Sequence, residues 1–383
     1  MKIAKFAFGL ICLAILASNI VTMSRWSEAR GVYDDICYLR QAHLFQRFGV
    51  HGLNTDAARD DDHHFEGRMK EIGFAEWADP IRWPCHNPMP SSKIVIQYPP
   101  GTGFLLSLFP EGHQVVPLYV AASLIVCGLA LFGIFMARTP VSVVGAGAFG
   151  ALAVYLMINP AKASYSVAPT MAVCAVAGYL TALWLRREKR SVLLIALIAL
   201  LLGASVNFRL PNALLVAGYA LFLGISFLRS RTWADLVQGV GFIVGLLAGV
   251  TPTLIAQAIN AGSPMATTYG SADVVAPAFD LATLGRYLRD MQFVLIVLAL
   301  GSTAWLLRLG EGGARRVALV AAGNLAVNLV FFLSHPIFTP YYVVPIAMLS
   351  LWSVSFAWLM QPQELRQASS VRRRPASLEA LPR

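Results

Sequence analysis

Apolar runs recur along this chain near 5–23, 115–136, 141–158, 167–185, 191–207, 211–228, 236–258, 291–307, 317–334 and 341–360. Each approaches the roughly 20 residues that a helix needs to cross a bilayer core. A membrane β-barrel would instead alternate polar and apolar residues in segments of about ten, a pattern missing here. The expected fold is therefore an all-α polytopic membrane protein with about ten transmembrane helices. The domain occupies 1–361, and 362–383 forms a basic tail, expected to be disordered and cytoplasmic. One polar block interrupts the pattern, at 24–114, and becomes a large first outer loop. Every later loop is short except 260–290.

Inside the outer loop, 35–48 reads as a helix. Tyr38, Leu39, Ala42 and Phe45 fall on one face, and Arg40, His43 and Arg47 on the opposite one. Such a helix either lies flat in the membrane interface and offers its cations to lipid phosphates, or is the solvated face of a small loop domain. The first apolar run follows Lys2 and Lys5 and reads as a retained anchor or a cleaved signal peptide. Its length and the lack of a small-x-small cleavage site favour the anchor.

Charge adds orientation. Only 13% of residues are charged, against roughly a quarter in soluble domains. The net charge of +10 is spread so that, with Met1 inside, 17 Lys and Arg fall on the cytoplasmic side and 13 outside. The inner cations sit in short turns such as 186–190 and 308–316, which is how positive charge fixes topology. Nucleic acid is therefore not an expected partner, whereas the lipid bilayer is. Three of the five cysteines lie within spans; Cys37 and Cys85 share the outer loop, an oxidising compartment if the outside is a periplasm, and are expected to pair.

The candidate chemistry gathers in outer segments. Asp34 and Asp35 open the predicted loop helix, either as reactive carboxylates or as an N-cap. The segment Gln97-Tyr98-Pro99-Pro100-Gly101 returns the chain to the membrane through two prolines that fix an extended turn. Arg209, at the outer end of the fifth span, reads as a phosphate ligand or a snorkelling arginine, and Lys162 is a second cation for the same task. Tyr342, in the last outer turn beside His335 and Tyr341, reads as a sugar platform or part of an interfacial aromatic belt. Asp60, Asp62 and His64, within Arg59-Asp60-Asp61-Asp62-His63-His64, have metal-ligand chemistry. Adjacent residues seldom converge on one ion, so the stretch reads first as an exposed loop, with a divalent metal the alternative and no other cofactor expected.

The spacing of Asp34, Asp35, Tyr38 and Ala42, together with Pro99-Pro100, resembles the first outer loop of the GT-C membrane glycosyltransferases that use polyprenyl-phosphate sugars. The nearer relatives in this respect are the dolichyl-phosphate-mannose protein mannosyltransferases and the bacterial aminoarabinose transferases. The segments 203–211, 262–270 and 340–345 are similar to later parts of that pattern. Asp35 stands where the family usually has Glu. Tyr98 stands where the aminoarabinose transferases have a phosphate-binding lysine. The resemblance implies a GT-C-like fold and an inverting transferase that moves one sugar from a polyprenyl-phosphate donor to a glycan or lipid acceptor. It implies catalysis by Asp34 with help from Asp35 and a site on the periplasmic face of a bacterial inner membrane; Arg40, Tyr98, Arg209, Lys162 and Tyr342 are the candidates for donor-phosphate or substrate binding there. The competing class is a secondary transporter or lipid-glycan flippase. Such proteins commonly carry charges within their spans, whereas these spans are nearly free of them.

Overall fold

The computed structural model describes residues 1–28, 33–159, 163–186, 190–270 and 275–361, with backbone alone at 33 and 34. Lys162, the side chain of Asp34 and the tail 362–383 lie outside the described residues.

The first helix, α1 (Lys2–Met23), buries Gly9, Cys12, Leu16, Asn19 and Met23 on one face and leaves Leu10, Ile11 and Leu13 exposed. A helix with apolar side chains on its outer face is suited to lipid rather than water. The polar block expected as the outer loop then forms α2 (Tyr33–Phe48), α3 (His64–Glu71), the antiparallel strands β1 (His86–Pro88) and β2 (Ile94–Ile96), and α4 (Gly101–Ser107). It has its own small core of Ile36, Cys37, Ala57, Phe65, Met69, Trp83 and Ile96.

The membrane-length part follows: α5 (Val115–Met136), α6 (Pro140–Tyr155), α7 (Val167–Arg186), α8 (Val192–Val206), a 3-10 stretch (Leu210–Val216) leading into α9 (Ala217–Ser230), and α10 (Trp233–Ala261). After a second outer segment come α11 (Leu281–Arg289), α12 (Met291–Leu309), α13 (Gly312–Leu333) and α14 (Val344–Leu359). Among the described residues, seven helices are long and apolar enough to cross a membrane, and α6, α8 and α14 are shorter apolar helices. The chain is a mostly helical, multi-pass membrane protein. Several starts are fixed by side chains that accept the otherwise unpaired first N–H groups: Thr139 and Ser142 form a capping box on α6, and Ser191, Thr232, Asp280 and Asp290 cap α8, α10, α11 and α12.

Two contacts set the bundle. α14 lies at its centre with nearly every side chain buried, packed on α7 along Trp352 and Gly178. α8 and α10 approach backbone to backbone: a Cβ on Gly245 would stand 2.2 Å from the Ala196 carbonyl oxygen, and one on Gly249 2.4 Å from that of Leu200. Small residues four apart allow such closeness, and in lipid it is van der Waals packing that holds helices together.

Side-chain bonds tie segments of predicted equal sidedness. Arg190 pairs with Asp235 at 2.6 Å, joining the turn before α8 to the first turn of α10. At the other end, Asn260 accepts from the Thr55 amide at 3.0 Å and donates to the Leu53 carbonyl at 2.8 Å, and the Thr268 hydroxyl donates to the Gln97 carbonyl at 2.8 Å. The outer-loop subdomain is thereby fastened to the end of α10.

The expected amphipathic helix at 35–48 is present as α2, but its setting differs. Ile36 through Ala42 are buried all round, Arg40 included, because the helix lies between the loop core and α4. A Cβ on Gly103 of α4 would come within 2.3 Å of the Gln41 Cβ. A helix with an interfacial pattern is α11, where Leu281 and Leu288 are exposed on the same helix as the exposed Arg286 and Arg289.

Candidate functional site

A cavity of about 710 Å³ opens where the predicted outer segments meet. Its wall takes Tyr38 from α2, Tyr98 from the turn before Pro99-Pro100, Ser164 before α7, Arg209 after α8, Tyr269 after α10, and Tyr341 with Tyr342 before α14. Residues distant in sequence converge here because each follows or precedes a helix ending at the same side of the bundle.

Arg209 is only 8% exposed, and its guanidinium lies 4.5 Å from the Tyr341 ring centroid and 5.4 Å from that of Tyr342. Among the described residues it has no ion-pair partner and no side-chain hydrogen bond. Aromatic faces stabilise the cation without using its N–H donors, so those donors remain for an anion. The aromatic turn is itself held by Gln292, whose side chain accepts from the Val343 amide at 2.9 Å and donates to the Thr339 carbonyl at 3.0 Å. On the opposite wall Tyr38 and Tyr98 lie with ring centroids 5.0 Å apart, Tyr98 meets Tyr269 edge to face at 6.2 Å, and Gln41 donates to the Tyr98 carbonyl at 2.8 Å. Pro100 leads directly into α4, and the Gly101 amide donates to the Asn207 carbonyl at 2.7 Å.

Asp35 is completely buried and accepts from the Tyr165 amide at 3.1 Å. Tyr165 is the neighbour of the lining residue Ser164, and Tyr38 sits one turn along α2 from Asp35. Asp35 therefore secures the first turn of α2 to the segment before α7, one turn from the lining residue Tyr38. Asp34 precedes it in the backbone.

Arg40 does not face the cavity. It is 1% exposed and donates to the Thr55 and Asp56 carbonyls at 2.9 and 2.8 Å, while His86 Nε2 stands 2.6 Å from its Nη1. Phe65 and Trp83 flank it, each with its centroid 5.5 Å away. Burial lowers its pKa to about 10 against the opposing pull of Asp60 and Asp56, so it stays charged at neutral pH. Arg40 is thus a core residue of the outer loop and not a phosphate ligand. His86 donates from Nδ1 to the Pro84 carbonyl at 2.7 Å, and burial, with Arg40 beside it, holds its pKa well below the ordinary value. Cys37 and Cys85 are joined as a disulfide with Cα atoms 6.6 Å apart.

The acidic and histidine-rich stretch divides. Asp60 accepts from the Phe65 and Glu66 amides and anchors the start of α3. Asp62 and His64 instead meet His43 and Glu111, which neighbouring sequence positions could not reveal. Arg47 pairs with Asp61. Asp280 and Asp290 are helix caps. Gln292 and Asn207 stand outside the candidates that the sequence offers, although an amide beside or within an apolar run is a recognisable signal, since lipid offers it no partner.

No family model, no curated protein and no solved structure matches this chain.

Proposed function

We propose that this protein is an inverting GT-C-type glycosyltransferase of the bacterial inner membrane, with ten crossings and its site at the periplasmic face. It moves a single sugar from a polyprenyl-phosphate donor to a glycan or lipid acceptor. The reading rests on one observation above the others. Among the described residues Arg209 has no side-chain partner other than the aromatic rings it rests on, in a large cavity at one end of the bundle, and Tyr38, one turn along α2 from Asp35, lines that cavity.

In this mechanism the donor phosphate sits against Arg209, with Tyr341 and Tyr342 behind the guanidinium. Tyr38, Tyr98 and Tyr269 supply the amphipathic faces on which a sugar packs. The acceptor hydroxyl attacks the anomeric carbon from the side opposite the phosphate. Asp34 takes the hydroxyl proton as the new C–O bond forms, and the bond from the anomeric carbon to the phosphate oxygen breaks. The lipid phosphate leaves with the electron pair, and Arg209 stabilises its charge. Asp35, held by the Tyr165 amide, positions the turn that carries Asp34.

The test is transfer of labelled sugar from polyprenyl-phosphate donors by the full chain in liposomes. Asp34→Asn should lower turnover by about a hundred- to ten-thousand-fold, and Arg209→Ala by about a hundred- to a thousand-fold. Asp35→Asn should cost less than Asp34→Asn. Folded Asp34→Asn protein that turns over at the wild-type rate removes Asp34 from the mechanism. Wild-type protein that carries a lipid-linked glycan across the bilayer without transferring sugar replaces the transferase reading with a flippase.

A further inference from the structure

Outside the cavity, three chain segments bring metal-ligating side chains to one point. His43 comes from α2, His64 from the first residue of α3, and Glu111 from the stretch between α4 and α5. Their ligand atoms all lie within 4.8 Å of one another. Glu111 Oε1 is 3.0 Å from His64 Nδ1, and Glu111 Oε2 is 3.4 Å from His43 Nδ1. The two imidazoles lie parallel, with centroids 3.8 Å apart. None of the three residues lines the Arg209 cavity.

We propose that His43, His64 and Glu111 bind a divalent transition-metal ion of the Zn²⁺ type, with an open position for water. Zinc–nitrogen and zinc–oxygen bonds of about 2.0–2.2 Å place neighbouring ligands of a tetrahedral site roughly 3.3 Å apart; here Glu111 turns one oxygen to each histidine, at 3.0 and 3.4 Å, and the set lies within 4.8 Å, so small side-chain rotations close it on one ion. Two imidazoles and one carboxylate form a ligand set such ions favour.

The surroundings supply the orientation a ligand needs. Asp62 Oδ2 lies 2.8 Å from His43 Nε2. With its proton on Nε2, shared with Asp62, His43 turns a lone pair at Nδ1 toward Glu111. A carboxylate on the far nitrogen of a metal-bound histidine fixes the ring and its tautomer in this way. Asp62 is itself braced by Arg47 at 3.3 Å and by the His64 amide at 3.4 Å. In that tautomer the Nδ1 lone pair faces a carboxylate oxygen, an arrangement that repels unless a cation, a metal ion or a second ring proton, lies between them; a metal ion converts it into two bonds. Binding tips the rings from their parallel stack so that both lone pairs converge. The ion would fasten α2, α3 and the chain entering α5 to each other, so its role is to brace the outer loop, independent of the transfer reaction.

The experiment uses full-length, tag-free protein in detergent, stripped with chelator and dialysed against buffered Zn²⁺. One ion per chain should be retained. X-ray absorption should show a shell of nitrogen and oxygen at about 2.0–2.1 Å, with imidazole scattering and no sulfur. His64→Gln and Glu111→Gln should each weaken binding at least about a hundredfold, and Asp62→Asn about ten- to a hundredfold. Failure to retain stoichiometric metal overturns the proposal, as does undiminished binding in both His64→Gln and Glu111→Gln. The absorption measurement needs wild-type protein only, so a sulfur-containing shell or one without imidazole overturns it even if the variants misfold.

Discussion

Arg40 and His86 meet at the centre of the outer-loop subdomain, 2.6 Å apart, with the histidine accepting from the guanidinium. Protonating His86 there would set two cations against each other in a buried site. Its folded pKa lies below the unfolded value of about 6.5, held there by burial and then by Arg40. The sign follows: above pH 6.5 this contribution to stability is fully present. As pH falls below 6.5 the unfolded chain takes up a proton that the folded loop refuses, and stability declines by up to about 1.4 kcal/mol per pH unit. Thermal unfolding of wild type and His86→Gln across pH 7.5 to 5.5 should show a steeper acid loss in the wild type; equal slopes would remove His86 as the cause. Periodicity in the sequence assigned Arg40 to a polar face correctly, but polar does not mean exposed. Its partners come from residues 55, 56 and 86, and no local pattern on α2 records them.

At the scale of elements, α10 carries Pro252 inside a 29-residue helix. Proline lacks an N–H and opens the backbone ladder of a helix, and in a membrane the freed groups need protein partners. Asn207 bridges the opening. Its side chain donates to the Gly249 carbonyl at 2.7 Å and accepts from the Thr253 amide and hydroxyl at 2.9 and 2.7 Å. Its own carbonyl accepts from Gly101 at the start of α4, so a single residue joins α8, α10 and the proline return. Asn207→Leu should destabilise the protein by about 1–3 kcal/mol for each polar group left unpaired. The check is the unfolding temperature in detergent, and a variant that melts with the wild type would show that the bridge carries no weight. The pairing of α8 with α10 is marked by Gly241, Gly245 and Gly249 at intervals of four. That spacing is visible in the sequence, yet the surface it meets is not.

For the whole molecule, the helices alternate so that Arg190, Asp235 and the start of α13 gather at one end and the cavity at the other. Charge predicts that the first end faces the cytoplasm. Cysteine introduced at the exposed Ile81 should react with a membrane-impermeant reagent in intact cells, and cysteine at the exposed Arg315 should react only after permeabilisation. Reaction at Arg315 from outside would invert the orientation and the proposed side of the chemistry. The apolar runs by themselves marked the chain as helical and multi-pass and set the polar block 24–114 apart from the spans, because these follow from residue-by-residue hydropathy and helix length. Position beside the apolar runs, together with the resemblance to the GT-C pattern, also marked Asp34, Asp35, Arg209 and Tyr342 as candidates. Only tertiary structure decided that Arg209 rests on Tyr341 and Tyr342, that Arg40 turns inward, and that His43 and His64 share Glu111. Each of those depends on which helix ends come together, and in a bilayer that is set by the packing of small residues and the pairing of buried amides, which one-dimensional hydropathy does not encode.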